Sequence, residues 1–375
     1  MAHFSGTTES RSRSPRTRLG FFVFGDCEFL LLGLCTLLFA GCASTHSSST
    51  TALHRFEFQS PHMGTLFTIT LYAPDKIIAH SAAQAAFQRV AALDEIMSDY
   101  QADSELMKLC DSPPGQPVRV SPELFEVIQQ SQKFSALSDG AFDITVGPIV
   151  RLWRFARKKK VLPTLADLNQ ARALLGYTKL RLDIKARTVT LLQPNMRLDL
   201  GGIAKGFAAD QALAVLKGRG LPRALVAASG DIAVGDPPPG QPGWRVSISA
   251  IDLRTNETTS SVLLRNAGIS TSGDTEQFTE INGVRYSHIV NPTTGLGLTN
   301  RIQVSIVAPD ATTTDALATA VSVMGVARGL ALIDSLPHTA AMIVTKNDNG
   351  QLRAFTSRRF KSVFTDSMEA GKKSS

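Results

Sequence analysis

The sequence predicts an α+β domain in which strands paired as hairpins alternate with amphipathic helices. Three observations carry that reading. Residues 67–72 alternate polar and apolar side chains, as a half-buried strand does. Residues 82–97 repeat apolar side chains at spacings of three and four, which places them on one helix face. Asn282-Gly283 lies between two short runs of strand formers, and this dipeptide supplies the positive backbone angles of a tight hairpin turn.

The remaining elements follow in order. Residues 124–134 read as a second helix, and residues 179–200 as two or three short strands rich in Leu, Val and Ile. A helix over 203–217 is closed by Gly218 and Gly220. Residues 302–307 form a strand, a helix starts near Thr314, and 340–364 read as further strands. Helices interrupting hairpins fit an α+β architecture better than a doubly wound sheet. Pro237-Pro238-Pro239-Gly240 marks a loop inside the patterned region, not a domain boundary. No repeat of solenoid length occurs.

At 375 residues, 43% hydrophobic and 19% charged, the chain can bury a large core. A net charge of +7 raises nucleic acid as a partner, but the basic residues are scattered. The one run, Arg157-Lys158-Lys159-Lys160, has no interleaved aromatics and reads as a solvated loop, so no nucleic-acid partner is expected. Near the N-terminus, Arg11, Arg13, Arg16 and Arg18 precede an apolar stretch, 29–40, too short to span a bilayer. It ends in Leu38-Phe39-Ala40-Gly41-Cys42, which resembles a bacterial lipobox. Residues 1–41 are thus expected to be a lipoprotein signal peptide, with Cys42 lipidated and 42–54 a Ser/Thr-rich tether; the alternatives are a plain secretory signal or an uncleaved anchor. The body, 55–375, would be exported, anchored to the membrane through Cys42 and facing the periplasm or cell exterior. Cys27 and Cys35 would leave with the leader; Cys110, left alone, can form no internal disulfide.

Several segments could carry chemistry. In Leu198-Asp199-Leu200-Gly201-Gly202-Ile203-Ala204-Lys205-Gly206 a strand meets two glycines and then a helix. Such a turn can aim N–H groups and a helix dipole at an anion, with Lys205 adding charge, or it can serve packing alone. In Thr314-Asp315-Ala316-Leu317-Ala318-Thr319 a carboxylate and a hydroxyl lie one helical turn apart. They are hard donors suited to magnesium, or else Asp315 is a helix cap and Thr319 bonds back to its own helix. His288 could accept a proton near neutral pH or be structural. Asp143 could bind a ligand or cap a turn. Met63 and Tyr100 say little singly. No Cys/His cluster has zinc spacing, and there is no Gly-x-Ser-x-Gly motif.

Taken together and in order, these segments resemble the ApbE family of FAD:protein FMN transferases. The matching pieces are Met63-Gly64-Thr65, Met97-Ser98-Asp99-Tyr100, the run from Asp139-Gly140-Ala141-Phe142-Asp143 to Pro148, and the Gly201-Gly202 segment. Ala228-Ser229-Gly230-Asp231, Ser270-Thr271-Ser272-Gly273-Asp274, Tyr286-Ser287-His288-Ile289 and the Asp315 segment complete them. The resemblance implies a two-lobed α+β domain with largely antiparallel sheets and FAD in the cleft between lobes. It implies FAD contacts from Met63, Tyr100, Ala141, Phe142, Asp143, Asp199, Lys205 and Val290. Magnesium would be held by Asp315, Thr319 and the main-chain oxygen of Gly202, and His288, Lys205 and Asp315 would be catalytic. Asn291 and Phe207 depart from residues common in the family. The implied reaction moves FMN from FAD to a Thr or Ser hydroxyl of an acceptor flavoprotein, such as a subunit of a membrane redox complex, and releases AMP. The alternatives are an FAD pyrophosphatase yielding free FMN, or a flavin-binding lipoprotein without catalysis.

Overall fold

The computed structural model describes residues 52–248, 260–273, 277–347 and 349–363. The expected leader, Cys42 and most of the tether lie outside the described residues, as does Asp274. The main sheet has eight strands in the spatial order His54–His62, Thr65–Ala73, Ala224–Ala228, Asp231–Val234, Ala267–Gly273, Arg301–Ala308, Ala340–Lys346 and Leu352–Thr356. Every pairing within it is antiparallel. The helices are α1 (Lys76–Met97), α2 (Glu105–Cys110), α3 (Pro122–Leu137), α4 (Gly147–Lys159), α5 (Leu165–Ala173), α6 (Ala204–Gly218), α7 (Ala311–Ser335) and α8 (Phe360–Val363).

The alternation read at 67–72 orients its strand. Phe67, Ile69 and Leu71 are fully buried and join one core with α1, α6 and α7. On a second apolar cluster, the hairpin Trp244–Ile248 and Ser260–Leu264 packs its Trp244, Val246 and Leu264 against Val234, Ile269 and Val307. Burying each of these large side chains contributes about 1.5–3 kcal/mol.

Helices α6 and α7 approach unusually closely, and small residues permit it. A Cβ on Gly206 would fall 2.2 Å from the Ala311 carbonyl oxygen. Asp210, on α6, accepts the N–H groups of Ala311 (3.0 Å) and Thr312 (2.8 Å) at the start of α7, while Asp310 caps that helix from its own chain by accepting from Thr313 (2.7 Å). One helix therefore ties down the origin of the other. By length and hydropathy α7 could cross a bilayer, but Leu317, Ala318 and Val321 are fully buried and Gly325 (φ 75°) breaks it, so it serves here as a core helix.

Three expectations need correction. Residues 157–160 are not a solvated loop: Arg157, Lys158 and Lys159 form the last turn of α4, where cations complement the helix dipole. Lys160 closes that helix in the left-handed region (φ 56°) and donates to Thr279 Oγ1 at 2.9 Å. The chain end holds two strands and then α8, rather than strands throughout. Helix α1 starts six residues before the apolar pattern becomes regular, because Asp75 caps it by accepting from Ile78 at 2.8 Å.

Candidate active site

Several of these elements converge on a cavity of about 610 Å³, a size that suits a medium-sized organic ligand. Its walls come from segments far apart in sequence, each held by an identifiable local device. Met63-Gly64 is the two-residue turn between the first two strands, and both residues have positive φ (49° and 71°). Asp94 on α1 pins the turn by accepting the Met63 N–H at 3.0 Å. Beyond α3, Asp139 and Gly140 take left-handed angles (54° and 73°) and reverse the chain. Ser138 Oγ then accepts the Phe142 N–H at 3.0 Å, which seats Ala141 and Phe142 in the wall.

Asp143 also borders the cavity, but its carboxylate is already occupied. Its Oδ1 accepts Thr145 N–H (2.8 Å) and Thr145 O–H (2.7 Å), and its Oδ2 accepts Tyr177 N–H (2.9 Å). Burial pushes this carboxyl up and the three hydrogen bonds oppose the rise. Turn capping, one of the two readings left open by the sequence, is what this side chain does.

The Gly201-Gly202 turn leads into α6, whose N-cap residue Ile203 makes no side-chain cap bond and whose Ala204 and Lys205 line the cavity. Asp199 shapes the turn by accepting Gly201 N–H at 2.8 Å, and burial, then repulsion from Asp99, raises its carboxyl above the usual range. Lys205 Nζ sits 2.5 Å from Asp231 Oδ2 and 3.8 Å from Asp315 Oδ2. Burial works against its charge, yet Asp231 and then Asp315 hold it above the ordinary lysine value.

Asp315 is not the cap of α7, a role filled by Asp310. It lies in the second turn, 2% exposed, and its Oδ2 accepts the Gly206 N–H at 3.0 Å. Thr319, one turn on, lines the cavity, and its Oγ1 would lie 3.0 Å from a Cβ placed on Gly202. The carboxylate, the hydroxyl and the glycine turn thus meet where α6 begins. Burial, reinforced by Asp231 and opposed by Lys205, pushes the Asp315 carboxyl up to about 7. Two buried carboxylates share a single ammonium here, an arrangement that a further cation would balance. Among the described residues no group of three or more His, Cys, Asp or Glu side chains suits a metal, so a cation would rely on mixed oxygen donors.

His288 and Val290 also line the cavity. They follow the hairpin Phe278–Ile281 and Val284–Ser287, whose Asn282-Gly283 turn has the expected positive angles (53° and 75°). Trp153 of α4 anchors this hairpin, its ring 5.0 Å from that of Tyr286 and its Nε1 donating to Gly295 O at 2.8 Å. His288 Nδ1 lies 3.1 Å from the Gln277 carbonyl oxygen. A carbonyl can only accept, so Nδ1 carries the proton and Nε2 is the basic nitrogen of the neutral ring.

The structure therefore brings Met63, Tyr100, Ala141, Phe142, Asp143, Asp199, Gly202, Lys205, His288, Val290 and Thr319 to one cavity, with Asp315 directly behind Lys205. The reading of individual residues overlooked Arg154 and Asp231. Asp231 lay within a quoted motif but was given no role. Arg154 lies on α4, and the cavity-facing spacing of Val150, Arg154 and Arg157 could have revealed it had the basic run been taken as helical.

In comparison with known proteins, the ApbE family model matches residues 63–343, and the chain belongs to the ApbE family. It is 32% identical to an FAD:protein FMN transferase of Vibrio cholerae over 332 residues, covering 87% of this chain and 95% of that protein. A Salmonella typhimurium FAD:protein FMN transferase is 31% identical over 305 residues, 80% of this chain and 87% of the relative. Among solved structures, the flavin transferase ApbE from Vibrio cholerae superposes with a TM-score of 0.76 at 30% identity, over 83% of this chain and all of that one. The apo form of Pseudomonas stutzeri flavinyl transferase ApbE gives 0.74 at 28% identity, over 84% and 98%. The α+β, antiparallel architecture expected from the sequence is the fold of these proteins.

Proposed function

We propose that this protein transfers FMN from FAD to a threonine or serine hydroxyl of an acceptor protein, releasing AMP. One observation carries the reading: Lys205, Asp315, Thr319 and the Gly201-Gly202 turn converge at the start of α6, beside a cavity large enough for an organic ligand. The start of α6 and Lys205 bind the diphosphate of FAD and stabilise charge that builds on the departing AMP. Asp315, Thr319 and the main-chain oxygen of Gly202 would hold magnesium. When bound, it would supply positive charge and Lewis acidity to the diphosphate. His288, through Nε2, takes the proton from the acceptor hydroxyl. That oxygen forms a bond to the FMN-side phosphorus as the bond to the AMP oxygen breaks. Asp231 keeps Lys205 charged and in place.

The test mixes the purified protein, FAD, magnesium and a Thr-containing acceptor domain. The expected outcome is flavin fluorescence that stays with the acceptor after denaturing electrophoresis, together with stoichiometric AMP. Free FMN with AMP, and no labelled acceptor, would replace the transferase reading by hydrolysis. Absence of AMP would exclude both.

Anchoring through a lipidated Cys42 forms part of the same proposal and rests on the leader pattern alone. It accords with an acceptor in a membrane redox complex. Cys42→Ser should move the protein from the membrane to the soluble fraction, and retention of the variant at the membrane would overturn the anchoring.

A further inference from the structure

Arg154, a closely paired side chain in the cavity wall, has no task in the proposed reaction. Arg154 projects from α4, and its Nη1 lies 2.6 Å from Asp99 Oδ2 while its Nη2 lies 3.2 Å from Asp199 Oδ2. The guanidinium carbon stands 3.9 Å from the centre of the Tyr100 ring. The side chain is only 25% exposed, and its Nε is buried without a hydrogen-bond partner among the described residues. Arginine thus ties together three separate pieces of wall: the loop after α1, the lead into the glycine turn, and α4.

Tyr100 is 78% exposed although it lines the cavity. Its own loop holds it weakly, through a 3.3 Å bond from its N–H to Ser98 Oγ. An exposed ring in a loop normally samples several rotamers, and a ligand stacking on it must first order it. Here the guanidinium covers one face of the ring, and the adjacent Asp99 is gripped by the same fork. The other face stays open. Asp99 and Asp199 would also repel a polyanionic ligand, and Arg154 offsets that charge.

Resting on the assignment of FAD to this cavity, we propose that Arg154 is a positioning residue that holds Tyr100 as a ready-made stacking platform for one aromatic ring of FAD. A base stacked on an aromatic side chain, and a cation held against one, each contribute to binding. Removing Arg154 is therefore expected to weaken FAD binding roughly five- to thirtyfold. The loss should fall on KM for FAD rather than on kcat, since Arg154 sits behind the ring and not at the reacting phosphorus.

The experiment measures FAD affinity by quenching of flavin fluorescence in wild type, R154Q, Y100L and the double variant. Each single variant should weaken binding, and the double should bind only slightly worse than Y100L, because the arginine acts through the ring. Losses that multiply in the double variant, or an unchanged affinity in R154Q, would overturn the proposal. R154K, which keeps a cation but not the two-pronged grip, should recover part of the affinity; should R154Q not fold, R154K and Y100L carry the same test. Titration with FMN and with ADP then assigns the ring. A loss confined to FMN marks the isoalloxazine, a loss confined to ADP marks the adenine, and a loss with neither refutes the platform. Failure of the wild type to bind FAD would instead remove the functional reading beneath it.

Discussion

Asp315→Asn is expected to abolish FMN transfer, by at least about a hundredfold, while the protein stays folded. The amide keeps the size of the side chain and can still accept the Gly206 N–H that Asp315 Oδ2 accepts at 3.0 Å. What disappears is the charge that would hold magnesium. In the free protein that charge is a burden, because burial and Asp231 raise the carboxyl to about 7. The sign follows from linkage. A carboxyl whose folded value lies above its ordinary value of 3.8 contributes stability that is fully present below about pH 4 and lost as pH rises toward 7. Without magnesium at pH 8, Asp315→Asn should therefore melt at or above the wild-type temperature, and near pH 4 the two should converge. With FAD present throughout, added magnesium should raise the wild-type melting temperature further and leave the variant's unchanged. Transfer at the wild-type rate in magnesium would sink the ligand assignment, and a circular dichroism spectrum showing loss of structure would sink the claim that the carboxylate is dispensable to folding.

Much of this arrangement is legible in the sequence. Strict alternation at Phe67, Ile69 and Leu71 gave a strand because one face is packed on helices, and Asn282-Gly283 gave a turn because few other dipeptides tolerate its angles. Helix α4 was hidden because it ends in three consecutive basic residues, and charge there satisfies the helix dipole rather than marking a loop. The four-residue spacing of Asp315 and Thr319 put them on one face, but nothing in the spacing excluded a cap at Asp315. Asp310 settles that point, since a helix needs one N-cap and Asp310 provides it. Order along the chain, through the family resemblance, singled out the cavity residues. The pairings of Arg154 with Asp99 and of Lys205 with Asp231 join residues far apart in sequence, and only the folded sheet and helices bring them together.

The metal-ligand geometry proposed here depends on a glycine that bears no functional group. A Cβ on Gly206 would stand 2.2 Å from the Ala311 carbonyl oxygen, 2.7 Å from its carbon and 2.8 Å from Asp315 Cβ. Two of these atoms are backbone in the first turn of α7, and that turn is fastened to α6 by Asp210. They cannot swing aside as a flexible side chain could, so Gly206→Ala must part the helices. Overpacking of this kind costs about 3 kcal/mol, the upper end of the usual range, because the obstacle is main chain. Parting α6 from α7 also carries Asp315 and Thr319 away from the Gly201-Gly202 turn, so transfer should fall together with the magnesium-dependent rise in melting temperature. Gly218, at the far end of the same helix, has no atom within 4 Å of a Cβ and supplies the control. Gly218→Ala should leave urea stability within about 1 kcal/mol of wild type, and transfer intact. Equal urea midpoints for the two variants would mean that the close helix crossing does not hold in solution, and the seating of Asp315 beside the cavity would fall with it.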